Sequence, residues 1–166
     1  MKLLIFTEGT ILMYASGRGI SRDQRVAQSL AHEASVYDFA HYLPIGHAVD
    51  KIDIWKDQSA EIFYLTSRTD PQEIADIQAV LDAYHFPDTH HLLHRRMGQA
   101  YAQVAEKLLP DILIEDNCES IGGDLEMTYP HIDLELKFKI KSVVIPEFGG
   151  IDHLPDNLKD LSYFTP

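Results

Sequence analysis

The sequence predicts an α/β fold in which helices cover a mainly parallel sheet. Short apolar runs alternate with segments of helical period, the pattern of βαβ units. Three of the runs end abruptly in polar residues, namely Thr7-Glu8-Gly9-Thr10 after residues 2–6, Thr66-Ser67-Arg68 after residues 61–65, and Glu115-Asp116 after residues 112–114. Because ligands of open α/β sheets bind outside the carboxyl ends of the strands, the three polar segments are expected to face one crevice.

The first half of the chain supplies the clearest helix. Residues 2–6 and 61–65 are apolar enough for strands, and a helix over about residues 48–57 would turn Val49, Ile52 and Trp55 inward. The clearest helix starts at Asp70, a good cap followed by Pro71 at the first helical position. Its expected core face is Ile74, Ile77, Leu81 and Tyr84.

The second half repeats the alternation. Strands are predicted at residues 91–94, 112–114 and 142–145, and a helix at about 99–109 would bury Ala100, Val104 and Leu108. Pro110 ends that helix.

Two segments fall outside this rhythm. Residues 14–46 contain the sequence ASGRG, a short helix near 21–33 and the aromatic-rich VYDFAHYLP, and they suggest a small cap-like insert near the strand ends. Residues 122–141 suggest a surface excursion before the last strand.

Composition limits the classes of protein to consider. A chain of 166 residues that is 45% hydrophobic suits one globular domain over residues 1–166. The formal charge of −12 opposes binding to nucleic acid. The single cysteine, Cys118, excludes an internal disulfide, and the lack of a leader pattern or a long apolar span predicts a cytoplasmic protein without membrane attachment. Oligomeric state stays open.

The strand-end motifs together resemble the haloacid dehalogenase-like (HAD-like) superfamily, over about residues 1–149. The resemblance implies a three-layer Rossmannoid fold and phosphatase-like chemistry. In that family the first strand ends in Asp-x-Asp-Gly-Thr, where the first Asp attacks phosphorus and the second is the general acid and base. Glu8-Gly9-Thr10 matches the Asp-Gly-Thr part. A gap-free count then puts Phe6 at the nucleophile position, whereas a one-residue deletion puts Thr7 there, and neither is an aspartate.

The resemblance also assigns an anion pocket. Thr66, or else Ser67, matches the hydroxyl residue that holds a phosphoryl oxygen. Arg68 would either guide an anion or form an ion pair at the surface. Arg95 and Arg96 lie where the family has a basic residue that neutralises phosphate. An ordinary strand-to-helix loop is the alternative for residues 66–68.

The last strand-end motif, Glu115-Asp116, implies a metal-binding site. Asp116 matches the main Mg²⁺ ligand and Glu115 its neighbour, and these hard oxygen ligands suit a weakly held Mg²⁺. Ser120 falls where the family has a further acid, with Glu119 adjacent. A solvated acidic turn is the alternative.

The function expected from these residues is binding of phosphate or a small phosphorylated metabolite by a protein that is weak or inactive as a phosphatase. One alternative is an active metal-dependent phosphohydrolase in which Glu8 or a metal-bound water acts directly, with Thr7 and Glu8 as the catalytic candidates. The other is a non-catalytic interaction module.

Overall fold

The computed structural model describes residues 1–165, and a five-stranded parallel sheet forms their centre. The strands are β1 (Lys2–Phe6), β2 (Leu12–Met13), β3 (Leu43–Pro44), β4 (Glu61–Thr66), β5 (Leu92–His94), β6 (Ile112–Asp116) and β7 (Lys141–Ile145). The helices are α1 (Arg22–Leu30), α2 (Ala48–Asp57), α3 (Pro71–Ala83), α4 (Tyr101–Leu108), α5 (Leu134–Lys137) and α6 (Leu158–Tyr163). The predicted α/β fold with a mainly parallel sheet is confirmed.

The strand order brings the three polar strand ends to one edge of the sheet. The order is β5-β4-β1-β6-β7, so β1 lies in the middle, between β4 and β6. Phe6 at the end of β1 pairs in register with Leu65 of β4, and β6 ends at Asp116. The chain runs from β1 to β4 on one side and later to β6 on the other. This is a topological switch point, where open α/β sheets form their ligand crevices.

Each strand of the sheet buries side chains on both of its faces. Successive residues point to opposite sides of a strand, so Leu3 and Ile5 join one apolar cluster while Leu4 and Phe6 join another. Helices α2 and α3 cover the first cluster through fully buried Trp55 and Leu81. Helix α4 covers the second.

Two expected helix faces differ in detail from the prediction. Tyr84 is 39% exposed because α3 ends at Ala83, and Val80 takes the core position instead. Ala100 precedes α4 and is exposed, whereas Ala102 and Ala105 of that helix are buried.

The segment after β1 contains a two-stranded antiparallel sheet that the sequence did not predict. Strands β2 and β3 pair antiparallel, and between them lie α1 and three 3₁₀ turns, at Ala15–Gly17, Ala34–Tyr37 and Phe39–His41. Phe39 and Tyr42 are buried beside the strand ends. The expectation of a cap-like insert over residues 14–46 stays a prediction.

Residues 122–141 contain short 3₁₀ turns and α5. Phe138 is exposed there, but Ile132 and Ile140 pack into the second cluster, so the excursion is partly anchored to the core. Among residues 1–165, no helix has the length and apolar character needed to cross a membrane.

Candidate functional site

A crevice of about 180 Å³ opens at the carboxyl edge of the sheet. Its polar lining includes Glu8, Ser67, Arg68, Asp116 and Glu147. Its aromatic lining is Phe6, Tyr37, Phe39, Tyr42, Tyr101 and Phe148. The three predicted strand ends therefore do share one cavity, and the segment between β2 and β3 contributes much of its aromatic wall.

Phe6 and Thr7, the two candidates for the nucleophile position, have different orientations. Phe6 lines the crevice and meets Tyr101 edge to face, with ring centroids 5.2 Å apart. Thr7 is fully buried, and its hydroxyl lies 3.2 Å from the Leu65 carbonyl and also contacts the Glu8 carboxylate. A ring, and not a carboxylate, therefore stands at the crevice end of β1.

The Glu8 carboxylate is surrounded by hydrogen-bond donors. Its Oε1 accepts from the Thr66 hydroxyl at 2.7 Å, the Ser67 hydroxyl at 3.2 Å and the Arg68 Nε at 3.1 Å. Its Oε2 accepts from the Ser67 backbone N–H at 3.3 Å. The donors that the sequence assigned to a phosphoryl group thus hold an internal carboxylate.

Asp116 is buried at the end of β6 and held by neighbouring donors. The Thr10 hydroxyl donates to Oδ2 and the Cys118 N–H to Oδ1, each at 2.9 Å. Gly9 adopts a φ of +82°, and a Cβ there would come within 2.7 Å of Asp116 Oδ2, so the close approach of this turn requires glycine. Burial raises the pKa of Asp116 to about 7; the Cys118 N–H opposes the rise and the nearby Glu147 carboxylate adds to it.

Glu115 points away from the crevice. Its carboxylate accepts backbone N–H groups of Thr128 at 2.6 Å and Tyr129 at 2.9 Å. Burial raises the pKa of Glu115, and the two N–H donors oppose that rise. Adjacent residues of a strand face opposite sides, so Glu115 and Asp116 do not converge on one ion. Within residues 1–165, no group of three or more His, Cys, Asp or Glu side chains is arranged to hold a metal.

Neither arginine of the Arg95-Arg96 pair lines the crevice. The Arg95 guanidinium lies 3.8 Å from the centroid of the Tyr101 ring, on which it stacks. Arg96 is exposed and borders separate surface hollows. Of the predicted anion-binding residues, the structure therefore brings together Thr66, Ser67 and Arg68.

Sequence reasoning missed Glu147, which lines the crevice two residues after the end of β7. Its carboxylate accepts the Ser120 N–H at 2.6 Å and the Ser120 hydroxyl at 2.7 Å. A carboxylate from the loop after β7 thus reaches Ser120, the position at which the resemblance predicted a further acid. The strand-end rule applied to residues 142–145 would have found it.

No protein-family model and no curated protein matches the chain. Among solved structures, it resembles the class C acid phosphatase from Bacillus anthracis with tungstate bound, with a TM-score of 0.58 at 12% identity over 90% of this chain and 68% of that one. A second structure of the Bacillus anthracis class C acid phosphatase gives a TM-score of 0.58 at 13% identity over 98% and 77% of the two chains. At this level of identity the likeness concerns the fold alone, and it confirms the predicted Rossmannoid fold.

Proposed function

We propose that this protein binds a small phosphorylated molecule at the crevice and does not hydrolyse it. The proposal rests on the Phe6 ring, which stands at the crevice end of β1 next to the donors of Thr66, Ser67 and Arg68. Hydroxyl, backbone N–H and guanidinium donors are suited to phosphoryl oxygens. The family's nucleophile at this strand end is an aspartate, and a phenyl ring has no lone pair with which to attack phosphorus.

Thr7 does not replace the missing aspartate. Its hydroxyl is fully buried and directed toward Leu65 and Glu8, so a substrate in the crevice would not meet it. The chemistry that these residues support is recognition of an anion without a covalent step.

The aromatic lining supports a ligand with an apolar or ring-shaped body. Tyr37, Phe39, Tyr42 and Phe148 line the crevice around the donors. Aromatic walls with a few convergent polar groups are typical of small-molecule sites. The proposed ligand therefore combines a phosphate group with a compact apolar portion.

Any Mg²⁺ at this site would be bound weakly. Asp116 is the carboxylate at the end of β6 that lines the crevice, and both its oxygens already accept hydrogen bonds. Mg²⁺ keeps several waters and needs few protein carboxylates, so Asp116 suits a weak site and Glu115, turned to the other face, takes no part. When bound there, the ion would help to neutralise a phosphate.

The test is turnover of a generic aryl phosphate with Mg²⁺ present, measured for the wild type, Phe6→Asp and Thr7→Asp. We expect no wild-type turnover above background. Phe6→Asp places a carboxylate in the crevice and is expected to give measurable turnover, whereas Thr7→Asp is not, because position 7 faces the interior. Thermal melts accompany the assay, since a carboxylate beside Tyr101 also costs stability.

Robust wild-type turnover would overturn the proposal. If Glu8→Gln then abolished that turnover, direct attack by water with Glu8 as the base would replace it. Turnover in Thr7→Asp but not in Phe6→Asp would show that residue 7, and not residue 6, corresponds to the nucleophilic aspartate.

A further inference from the structure

We propose that Glu8 occupies the anion site of the resting protein, so that a ligand phosphate binds by displacing this carboxylate. The inference rests on the proposed function, because it names the group that competes with the ligand for the same donors. It makes Glu8 a determinant of affinity and selectivity at the site.

The first support is that Glu8 uses the donors that an incoming anion needs. The hydroxyls of Thr66 and Ser67 are directed at Oε1, and the Ser67 N–H at Oε2. A hydroxyl has one proton to donate, so it serves either Glu8 or a phosphoryl oxygen. The Glu8 side chain is only 12% exposed, and water therefore competes little for these bonds.

The second support is that the donors also have partners other than Glu8. Arg68 donates from Nε and Nη2 to the Ser67 hydroxyl oxygen at 3.1 and 2.6 Å, and its guanidinium lies 4.3 Å from the centroid of the Phe39 ring. Thr66 ends a strand in the interior of the sheet and accepts the Arg68 N–H at 3.2 Å. Removing the Glu8 carboxylate therefore leaves Thr66, Ser67 and Arg68, here called the anion cradle, with donors that have lost their acceptor. Unpaired donors of this kind attract an anion.

The third support is reach. Glu8 leaves the turn after β1, and its carboxylate arrives at the end of the neighbouring strand β4. Glutamate is one methylene longer than the aspartate of the family pattern. Glu8→Asp keeps the charge but shortens the side chain, so it separates the effect of occupying the cradle from the effect of charge alone.

The experiment is calorimetric titration of the intact protein with inorganic phosphate. Wild type is compared with Glu8→Ala, Glu8→Gln and Glu8→Asp, and Glu61→Ala is the matched control because this exposed acid begins β4, at the opposite edge of the sheet. We expect Glu8→Ala to bind phosphate at least about tenfold more tightly than wild type, since charge-assisted hydrogen bonds pass from the carboxylate to the ligand. Glu8→Gln and Glu8→Asp should gain less, and Glu61→Ala nothing.

A second substitution ties any gain to the cradle. Thr66→Val in the Glu8→Ala background removes one hydroxyl at nearly constant shape and should reverse most of the gain. A gain that survives Thr66→Val, or that Glu61→Ala shares, would overturn the inference. Circular dichroism and melting curves check folding, and if Glu8→Ala does not fold, Glu8→Gln carries the comparison.

The outcomes separate this inference from the proposed function. If wild type binds and Glu8→Ala binds no more tightly, the inference fails and the function stands. If only the Glu8 variants bind, Glu8 blocks the donors, and both displacement of Glu8 by phosphate and phosphate binding by the wild type are overturned. Binding by none of them overturns both.

Discussion

At the residue scale, Asp116 combines near-complete burial with a carboxyl that titrates close to neutral pH. It is 4% exposed, and burial raises its pKa to about 7 from an ordinary 3.8. The folded protein therefore binds this proton more tightly than the unfolded chain does. The folded state gains from the proton at low pH, and it loses that gain as pH rises from about 4 to about 7.

Asp116→Asn should therefore flatten the dependence of stability on pH. As pH rises from about 4 to about 7, this carboxyl should lower the free energy of unfolding of the wild type by up to about 4 kcal/mol. Asparagine does not titrate, so the variant should lack this decrease. Denaturant unfolding at a series of pH values in metal-free buffer measures it. Asp23→Asn is the control, because the Asp23 side chain is 90% exposed. A wild-type slope in the Asp116→Asn protein would show that this carboxyl does not carry the effect.

At the scale of elements, helix α3 continues the chain from the donor-bearing residues Thr66 to Arg68. Its predicted cap is present, because Asp70 Oδ1 accepts the N–H groups of Gln72 at 2.8 Å and Glu73 at 3.3 Å. Pro71 occupies the first helical turn, as predicted. The Glu73 carboxylate lies 3.8 Å from Arg68, so the start of this helix also neighbours the cradle.

Asp70→Ala should lower the free energy of unfolding by about 1 kcal/mol, because it leaves helical N–H groups without their acceptor. Asp70→Asn keeps an acceptor oxygen and should cost less. Chemical denaturation of the three proteins under identical conditions makes the comparison. Equal stability of Asp70→Ala and wild type would mean that water satisfies the helix start just as well.

At the scale of the whole molecule, the formal charge of −12 predicts self-repulsion in the folded state. The repulsion acts between groups spread over the surface, whereas short contacts such as Lys56 with Asp88, at 2.6 Å, are screened less. Screening should therefore relieve more repulsion than it removes attraction.

The melting temperature should accordingly rise when NaCl is increased from about 10 mM to about 200 mM. Scanning calorimetry in NaCl and in KCl measures the shift, and equal shifts identify screening as the cause instead of binding of one cation. A fall in melting temperature would show that favourable ion pairs outweigh the net charge.

The sequence by itself determined the parallel sheet, the start of α3 and the polar edge shared by β1, β4 and β6. These features follow from local patterns, because apolar runs, caps and turn residues act over a few positions. The separation of Glu115 from Asp116 was also available from strand alternation.

Only the tertiary structure decided where the side chains beyond the strand ends point. Glu8 reaches across to Thr66, Arg95 stacks on Tyr101, and Glu147 arrives from β7 beside Ser120. A side chain in a turn chooses its partner among donors distant in sequence, and that choice depends on how packing positions the neighbouring strands and loops. This is why the edge of the sheet was predictable from local sequence, while the occupation of its anion cradle by Glu8 was not.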